Sequence, residues 1–168
     1  MIKKHIIEIC NRKIFNLHPS LLPKYRGCSS LTWAMINGEK EVGFTYHYLD
    51  EGCDTGDIII QKIHHIEDWD TQETLYMRIM FEAMKYFEFA FNFVSKGLVG
   101  KKQKGESSYY KRGCPYNGQI NPDWDLKYKN RFIRAMIFPP YPVAKLGEKE
   151  IVSLGDLKNA DQNISTHS

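Results

Sequence analysis

Apolar residues at helical spacing mark two short segments in the first part of the chain. Between residues 1 and 10 they recur every three to four positions, which predicts a helix packed by one face. Residues 30–36 predict a second short helix, with Ser29 or Ser30 as the capping residue. Gly38 is the expected stop of this second helix, because glycine readily adopts the left-handed conformation that ends helices.

The strongest helical pattern runs from residue 70 to residue 97. Asp70 and Glu73 have the spacing of a capping box, and Gly97 is the expected end. An apolar side chain follows at every fourth position: Leu75, Ile79, Ala83, Phe87 and Phe91. The pattern predicts one continuous helix of about 25 residues.

Alternating apolar and polar residues predict a strand at 14–18, and runs rich in Thr, Tyr, Ile and Phe predict strands at 43–49 and 57–66. A fourth, final strand is expected at 151–154. Strand periodicity places Asn16 and His18 on the same side of the first strand. The second and third strands are joined by a loop that carries Asp50 and Asp54.

Four strands are fewer than a doubly wound α/β domain needs. The first predicted helix also lacks a capping residue before it. We therefore expect the front of a domain to be absent from the chain. After residue 97 the sequence becomes rich in turn residues, and the last ten or so residues are polar and expected to fray.

The composition is that of one soluble globular domain: 168 residues, 42% apolar and 26% charged. The net charge of +3 is too small to indicate nucleic-acid binding by itself. Charge is nevertheless unevenly distributed, with a net −7 over residues 39–70 and a net +7 over residues 96–134. Two solvated faces, or an acidic face for an amine and a basic face for an anion, both fit this pattern.

The four cysteines form no CxxC pair and have no zinc-ligand spacing with a histidine, so we expect no metal and a reduced, cytoplasmic protein. No apolar run approaches the roughly 20 residues that span a bilayer, and no signal peptide is recognisable. We expect no membrane partner.

Three side chains are candidates for chemistry: Asn16, His18 and Asp54. An amide can donate to a developing oxyanion, and a histidine held by a carboxylate can accept and return a proton near neutral pH. Together they suit acyl transfer without a serine or cysteine nucleophile. Taken singly, the same residues are typical of a turn-forming Asn, a surface His and a tight turn, so residue types alone leave both interpretations open.

Three longer motifs resemble the core of the folate-dependent formyltransferases, the family of glycinamide ribonucleotide, methionyl-tRNA and nucleotide-sugar formyltransferases. They are Asn16-Leu17-His18-Pro19-Ser20-Leu21-Leu22-Pro23-Lys24-Tyr25-Arg26-Gly27, Gly43-Phe44-Thr45-Tyr46-His47 and Asp54-Thr55-Gly56-Asp57-Ile58-Ile59. The resemblance implies an α/β, Rossmann-like formyltransferase domain that lacks its N-terminal βα units. It divides the chain into the end of the catalytic domain (1–97), an extension on the substrate side (98–155) and a flexible tail (156–168).

The resemblance also implies roles for individual residues. Asn16, His18 and Asp54 are expected to be catalytic, and the co-substrate is expected to be N10-formyltetrahydrofolate, with no metal. On the folate side the resemblance indicates Ser20, Leu22, Asp50 and Gly52. Thr45 and His47 are expected on the strand beneath.

The second half of the chain looks most like the sugar N-formyltransferases, on motifs that include Ser108-Tyr109-Tyr110-Lys111-Arg112 and Phe132-Ile133-Arg134-Ala135. This resemblance implies a dTDP-linked amino sugar as substrate and a role in lipopolysaccharide biosynthesis. The basic segment fits a diphosphate. The residues expected to bind the substrate are Tyr109, Lys111, Arg112 and Arg134.

Two alternatives stay open. Methionyl-tRNA formylation would use the basic segment for RNA, although we expect nucleic acid to be the less favoured partner. An inactive or truncated chain would instead need a homodimeric or complementing chain to supply the missing part of the sheet, because the apolar faces of the first helix and first strand otherwise have little to pack on.

Overall fold

The computed structural model describes residues 4–11 and 13–165, which form a mixed α/β structure. Its helices are α1 (Lys4–Ile9), α2 (Ser30–Asn37), α3 (Gln72–Met84), α4 (Phe87–Ser95), α5 (Leu126–Ala135) and α6 (Leu154–Ser165). Its strands are β1 (Phe15–His18), β2 (Arg26–Gly27), β3 (Glu41–Tyr48), β4 (Ile58–His65), β5 (Tyr109–Tyr110), β6 (Ala144–Leu146) and β7 (Lys149–Ile151).

The main sheet has three antiparallel strands in the order β1-β3-β4, which confirms the first three predicted strands. The central strand β3 is buried from Val42 to His47. Its register places Asn16 opposite His47 and His18 opposite Thr45. Because opposite residues project from the same face of a sheet, this register brings the polar side chains of β1 and β3 together.

A small parallel pair, β2 with β5, lies outside the four predicted strands. Two residues are too few to leave a periodic signal. A Cβ on Gly27 would lie 2.2 Å from the Tyr110 carbonyl oxygen, so the two strands approach this closely only because the residue is glycine. The pair attaches the second half of the chain to the first.

The single long helix predicted for residues 70–97 is wrong. Two helices, α3 and α4, are separated at Lys85 and Tyr86. A four-residue step advances about 40° beyond a full turn, so the predicted stripe drifts away from the core. Phe87 and Phe91 are accordingly about half exposed, and Ala90 and Val94 take the buried positions.

The predicted capping box of Asp70 and Glu73 is also wrong. Thr71 and Thr74 form the box at the start of α3, each side chain bonded to the other residue's backbone N–H. The Asp70 side chain is fully buried and pairs with the Arg78 guanidinium. It also accepts from the Glu67 N–H at 2.8 Å, so it anchors the segment before the helix.

At the start of the chain, Ile7 is the buried residue of α1, while Ile6, Ile9 and Cys10 are exposed. The packed face predicted for residues 1–10 is therefore narrower than expected, and residues 1–3 lie outside the described part. Helix α2 has the predicted extent and ends at Gly38 (φ 78°), but Ser29 makes no side-chain capping bond.

At the other end, the strand predicted at 151–154 ends at Ile151, and Leu154 begins a helix. The segment from residue 156 was expected to be a flexible tail, but it belongs to α6 as far as Ser165, and Leu157 and Ala160 are buried in the core. Residues 166–168 lie outside the described part. Phe132 and Ile133 of α5 belong to the same buried cluster as Leu75 and Ile79 of α3.

None of the helices described is long and apolar enough to cross a membrane.

Candidate active site

Strand β1 presents His18 and Asn16 on one face, as its periodicity predicts. His18 is 5% exposed, while Asn16 at the next position on that face is half buried. The chain turns immediately after His18, where the Ser20 N–H donates to the His18 carbonyl at 2.9 Å. His18 is therefore held at a strand end with its imidazole turned into the protein.

Asp54 reaches this face from the loop between β3 and β4. Its backbone is in the left-handed region (φ 54°), and its Oδ2 accepts from the Gly27 N–H at 2.8 Å. The same oxygen lies 3.6 Å from Nδ1 of His18. The structure thus brings together the histidine and the carboxylate that lie 36 positions apart in the sequence.

The ring of His18 has a defined tautomer. Its Nε2 lies 2.7 Å from the Tyr25 carbonyl oxygen, and a carbonyl can only accept, so Nε2 carries a proton. In the neutral ring the lone pair is then on Nδ1, the atom that faces Asp54. A proton taken up by His18 therefore enters at Nδ1, beside a carboxylate.

His47 completes the cluster, although the sequence analysis placed it only on the strand beneath. It is fully buried, and its Nδ1 donates to the Tyr48 carbonyl at 2.8 Å. Its Nε2 lies 3.5 Å from both Asn16 Nδ2 and Asp54 Oδ1. His47 therefore links the amide to the carboxylate. The available signal was its even spacing from Thr45 on a strand that pairs with β1.

Burial and charge act in opposite directions on the two titrating groups. Burial lowers the pKa of His18 below its ordinary 6.5, although the Asp54 charge and the bond to the Tyr25 carbonyl counteract it. Burial alone would raise the pKa of Asp54, but the bond from His47, the charge of His18 and the Gly27 N–H outweigh burial and hold that pKa well below its usual range. At neutral pH the site therefore combines an ionised Asp54 carboxylate with a neutral His18 imidazole.

The residues expected on the folate side fall into two groups. Ser20 and Leu22 are buried: the Ser20 hydroxyl donates to the Lys24 carbonyl at 2.8 Å, and the Leu22 N–H donates to Thr45 at 3.3 Å. Asp50 and Gly52 are exposed, and Oδ1 of Asp50 accepts from the Gly52 N–H at 3.0 Å. The first pair shapes the wall next to His18, and the second stiffens the loop that carries Asp54.

The residues expected to bind the substrate are also divided. Tyr109 lies beside the site, because it pairs with Arg26 of β2 and its ring lies against Gly27. Its proximity to Cys53 and Asp54 contributes to raising the pKa of its hydroxyl, with Cys53 the largest cause. Lys111 and Arg112 are exposed just after β5. Arg134 is placed differently.

The Arg134 guanidinium donates to the backbone carbonyls of Asp70 at 2.6 Å and Glu67 at 3.3 Å, and burial lowers the pKa of Arg134. These bonds tie α5 to the segment before α3. We attribute a structural function to Arg134.

An aromatic surface adjoins Tyr109. Tyr110 stacks on Trp33, with ring centroids 4.8 Å apart, and on Tyr25, with centroids 5.5 Å apart. Tyr116 meets the edge of Trp33 at 5.6 Å. Because β5 carries both Tyr109 and Tyr110, this surface continues directly from the cluster around Asp54.

Within the described residues, no group of three or more His, Cys, Asp and Glu side chains is arranged to hold a metal ion. The side chains of the cluster instead offer an amide N–H, an imidazole lone pair and a carboxylate.

Comparisons with known proteins agree on one family. The family profile described as formyl transferase matches residues 1–89, more than half of the chain. GDP-perosamine N-formyltransferase of Brucella melitensis is 44% identical over 146 residues, covering 87% of this chain and 56% of that protein. Methionyl-tRNA formyltransferase of Thermodesulfovibrio yellowstonii is 37% identical over 145 residues, covering 86% and 46%. The chain spans about half the length of the curated relatives it matches.

The fold is also that of solved formyltransferases. The sugar 3N-formyl transferase WlaRD, crystallised with dTDP and 5-N-formyl-THF, superimposes with a TM-score of 0.75 at 31% identity, covering 84% of this chain and 53% of WlaRD. The N-formyltransferase from Helicobacter canadensis, in complex with folinic acid and dTDP-3-aminofucose, gives a TM-score of 0.71, also at 31% identity, and covers 84% of this chain and 54% of that one. On sequence and on structure, this chain belongs to the formyltransferase family.

Proposed function

We propose that the chain carries the catalytic centre for formyl transfer from N10-formyltetrahydrofolate to the amino group of a nucleotide-linked amino sugar. The observation that carries this proposal is the pairing of His18 Nδ1 with Asp54 Oδ2 at 3.6 Å, with the other ring nitrogen tied to the Tyr25 carbonyl. A buried, neutral imidazole of fixed tautomer beside an ionised carboxylate suits a proton shuttle between two nitrogens.

The proposed reaction forms one C–N bond and breaks another. The amine nitrogen attacks the formyl carbon, and the amide of Asn16 donates to the formyl oxygen as it becomes negative. Nδ1 of His18 takes a proton from the attacking amine and returns it to N10 of the folate as the C–N10 bond breaks. Asp54 stabilises the imidazolium between these two steps. The formamido sugar nucleotide and tetrahydrofolate leave, and His18 is neutral again.

The folate donor fits the exposed loop between β3 and β4. Asp50 bonds within this loop to Gly52 and Thr55, so the loop is ordered before a ligand arrives. A preordered loop loses less entropy on binding than a flexible one. The solved relatives WlaRD and the Helicobacter canadensis enzyme contain 5-N-formyl-THF and folinic acid, which supports a folate co-substrate here.

The substrate side is proposed from charge and aromatic surface. Lys111 and Arg112 are exposed and can pair with a diphosphate, and the exposed rings of Tyr109 and Tyr116 can contact a base. We keep dTDP as the proposed nucleotide, because both solved relatives contain dTDP or a dTDP-sugar. A GDP-sugar, suggested by the name of the Brucella relative, is the competing outcome.

The test is an assay of the purified chain with 10-formyltetrahydrofolate and three acceptors: dTDP-amino sugars, GDP-perosamine and initiator methionyl-tRNA. Formation of a dTDP-formamido sugar, detected by mass spectrometry and absent with His18→Ala, is the expected result. Preference for GDP-perosamine would correct the nucleotide. Preference for the tRNA, with steep salt dependence, would replace the sugar proposal by the methionyl-tRNA alternative.

The outer face of α4 favours a second proposal, that the chain works together with a complementing chain. Phe87 and Phe91 are each about half exposed and stack with ring centroids 6.3 Å apart, and the Phe87 ring lies 6.1 Å from that of Phe15 in β1. Half-exposed phenylalanines on one helix are typical of a covered surface. We propose that the further βα layer implied by the resemblance packs here, as part of a complementing chain.

Light scattering on the isolated chain tests this arrangement. An unfolded chain without turnover, or one active only in a mixed complex, supports the complementing chain. A mass of two copies would identify a homodimer instead. A monomer with full turnover would contradict both.

We also propose that the reaction takes place in the cytoplasm. All four cysteines are free, as a reducing compartment would keep them.

A further inference from the structure

Gln103 lies outside every motif considered so far, yet all four of its amide hydrogen-bonding positions are used around the site. Its Nε2 donates to the backbone carbonyls of Asp54 and Gly56, both at 2.8 Å. Its Oε1 accepts from Nε of Arg26 at 3.2 Å and from Nη2 at 2.6 Å. Because carbonyls only accept and a guanidinium only donates, these partners determine the orientation of the amide.

These bonds close a ring through the carboxylate. Arg26, held by Gln103, is followed by Gly27, whose N–H donates to Oδ2 of Asp54 at 2.8 Å. Gln103 thus contacts both the backbone that carries Asp54 and the residue beside the donor to its side chain. Asp54 is therefore held at two points, at its backbone carbonyl by Gln103 and at its side chain by Gly27 of β2.

The backbone at Asp54 needs such support. Asp54 adopts φ 54°, in the left-handed region that residues with a Cβ adopt uncommonly. Within the loop, Asp50 accepts from the Gly52 N–H and from the Thr55 hydroxyl, which orders the turn but does not touch Asp54 itself. The contacts that reach Asp54 from outside its loop include Gln103 and Gly27.

We propose that Gln103 is a positioning residue for formyl transfer, which holds the Asp54 carboxylate against Nδ1 of His18. This inference rests on the proposed function, and it extends the site into residues 98–155. Gln103 touches no reacting atom, so its effect is transmitted through Asp54 and Arg26.

Contacts other than the Gln103 side chain also hold the surrounding segments in place. The backbone of Lys101 exchanges two bonds with Ile58, at 2.7 and 2.8 Å, and Lys102 pairs with Asp57 at 3.0 Å. The Arg26 N–H donates to the Ser108 carbonyl at 2.9 Å. Removing the amide is therefore expected to displace the loop by a small amount and to leave the fold intact.

The test replaces Gln103 by Met, which has a similar length and makes none of the four bonds. The matched control is Gln119→Met, an exposed glutamine whose side chain makes one long bond, 3.4 Å, to the Gly147 carbonyl. The first readout is the NMR titration of the His18 ring, identified by comparison with His18→Ala. Since the Asp54 charge raises the His18 pKa and the nearby His47 lowers it, a displaced carboxylate lowers the titration midpoint, by about 0.5 for a threefold loss in proton affinity.

We expect Gln103→Met to show this lower midpoint, at least a tenfold lower kcat/KM and an acid limb shifted to lower pH, with Gln119→Met unchanged in all three. Gln103→Leu, which also makes none of the four bonds and adds no charge beside His18, is expected to shift the midpoint in the same direction and serves if the Met variant does not fold. An unchanged His18 titration in both Gln103 variants overturns the inference. Absence of turnover in the wild-type chain would overturn the proposed function alone, because the titration needs no substrate.

Discussion

Nδ1 of His18 faces Oδ2 of Asp54 at 3.6 Å, while Nε2 of the same ring is hydrogen-bonded to the Tyr25 carbonyl at 2.7 Å. One ring nitrogen therefore anchors the imidazole and the other is left for proton transfer. Burial lowers the pKa of His18 and the Asp54 carboxylate raises it, so the two effects oppose each other in setting the proton affinity of Nδ1. A shuttle that must take up and release a proton in one turnover needs this balance.

Substitutions in the cluster are expected to reduce turnover by different amounts. His18→Ala removes the shuttle and should lower kcat by about 10² to 10⁴. Asn16→Ala removes an oxyanion donor and should lower kcat by about 10² to 10³, with little change in KM. Steady-state kinetics measures both. Near-wild-type formylation by His18→Ala or by Asp54→Ala would refute the catalytic assignment.

The acid limb of the pH profile is expected below the ordinary histidine pKa of 6.5. Only the neutral ring accepts a proton, and burial lowers the pKa of His18, so kcat/KM stays high at neutral pH and falls as the pH drops through the lowered value. Because Asp54 raises the His18 pKa, Asp54→Asn should move the ring's titration to still lower pH. The titration is read by NMR, which does not require activity. A midpoint above 6.5 in the wild-type chain would contradict this prediction.

Gly27 is expected to tolerate no side chain. Both Gly27 (φ 88°) and Gly105 (φ 99°) have backbone angles that favour glycine, but a Cβ on Gly27 would lie 2.2 Å from the Tyr110 carbonyl oxygen, whereas Gly105 has open space. Gly105→Ala should therefore cost only backbone strain, about 1–3 kcal/mol. Gly27→Ala should cost more and also impair activity, because the Gly27 N–H holds Asp54.

Urea unfolding and an activity assay separate strain from collision. Equal destabilisation by the two alanine substitutions, with activity retained in both, would show that the close approach to Tyr110 does not matter.

Asp70 is expected to be a major source of stability. Its buried carboxylate pairs with Arg78 and accepts the Glu67 N–H, so Asp70→Ala leaves both without their partner. Loss of one member of a buried pair costs about 3–5 kcal/mol, and the lower end applies because a third of the Arg78 side chain is exposed. Glu73→Ala is the control, and should change the unfolding free energy by less than about 0.5 kcal/mol. The reverse order would restore the predicted Asp70–Glu73 capping box.

Charge removal after β5 tests the substrate side. Lys111→Ala and Arg112→Ala should raise KM for the nucleotide sugar by about tenfold each, as expected for loss of a charge-assisted bond of about 1.5 kcal/mol, with kcat unchanged. The same variants should leave the KM for the folate donor unaltered. If neither substitution changes KM for the sugar, these two residues do not bind the diphosphate.

The resemblance carried by the motifs around Asn16, His18 and Asp54 was enough to indicate the family, and strand periodicity was enough to place Asn16 and His18 on one face. Both are local properties of the sequence, since a motif and a period of two can be read without knowing what packs where. The helix from residue 70 shows the limit of such reasoning. The apolar period predicted one continuous helix, but the structure has two, in which Ala90 and Val94 are buried and Phe87 and Phe91 are half exposed.

Other features depended on contacts between distant parts of the chain. The register of β1 against β3 places His47 opposite Asn16. On the other side of the site, β2 pairs with β5, and Gln103 bonds to both Arg26 and Asp54. Arg134, expected from a motif to bind substrate, is instead held by backbone carbonyls before α3. The sequence by itself determined which residues can do chemistry, because side-chain type sets donor, acceptor and charge. Only the tertiary structure decided which of them meet and in which protonation state, because distance, burial and neighbouring charge arise from packing across the whole chain.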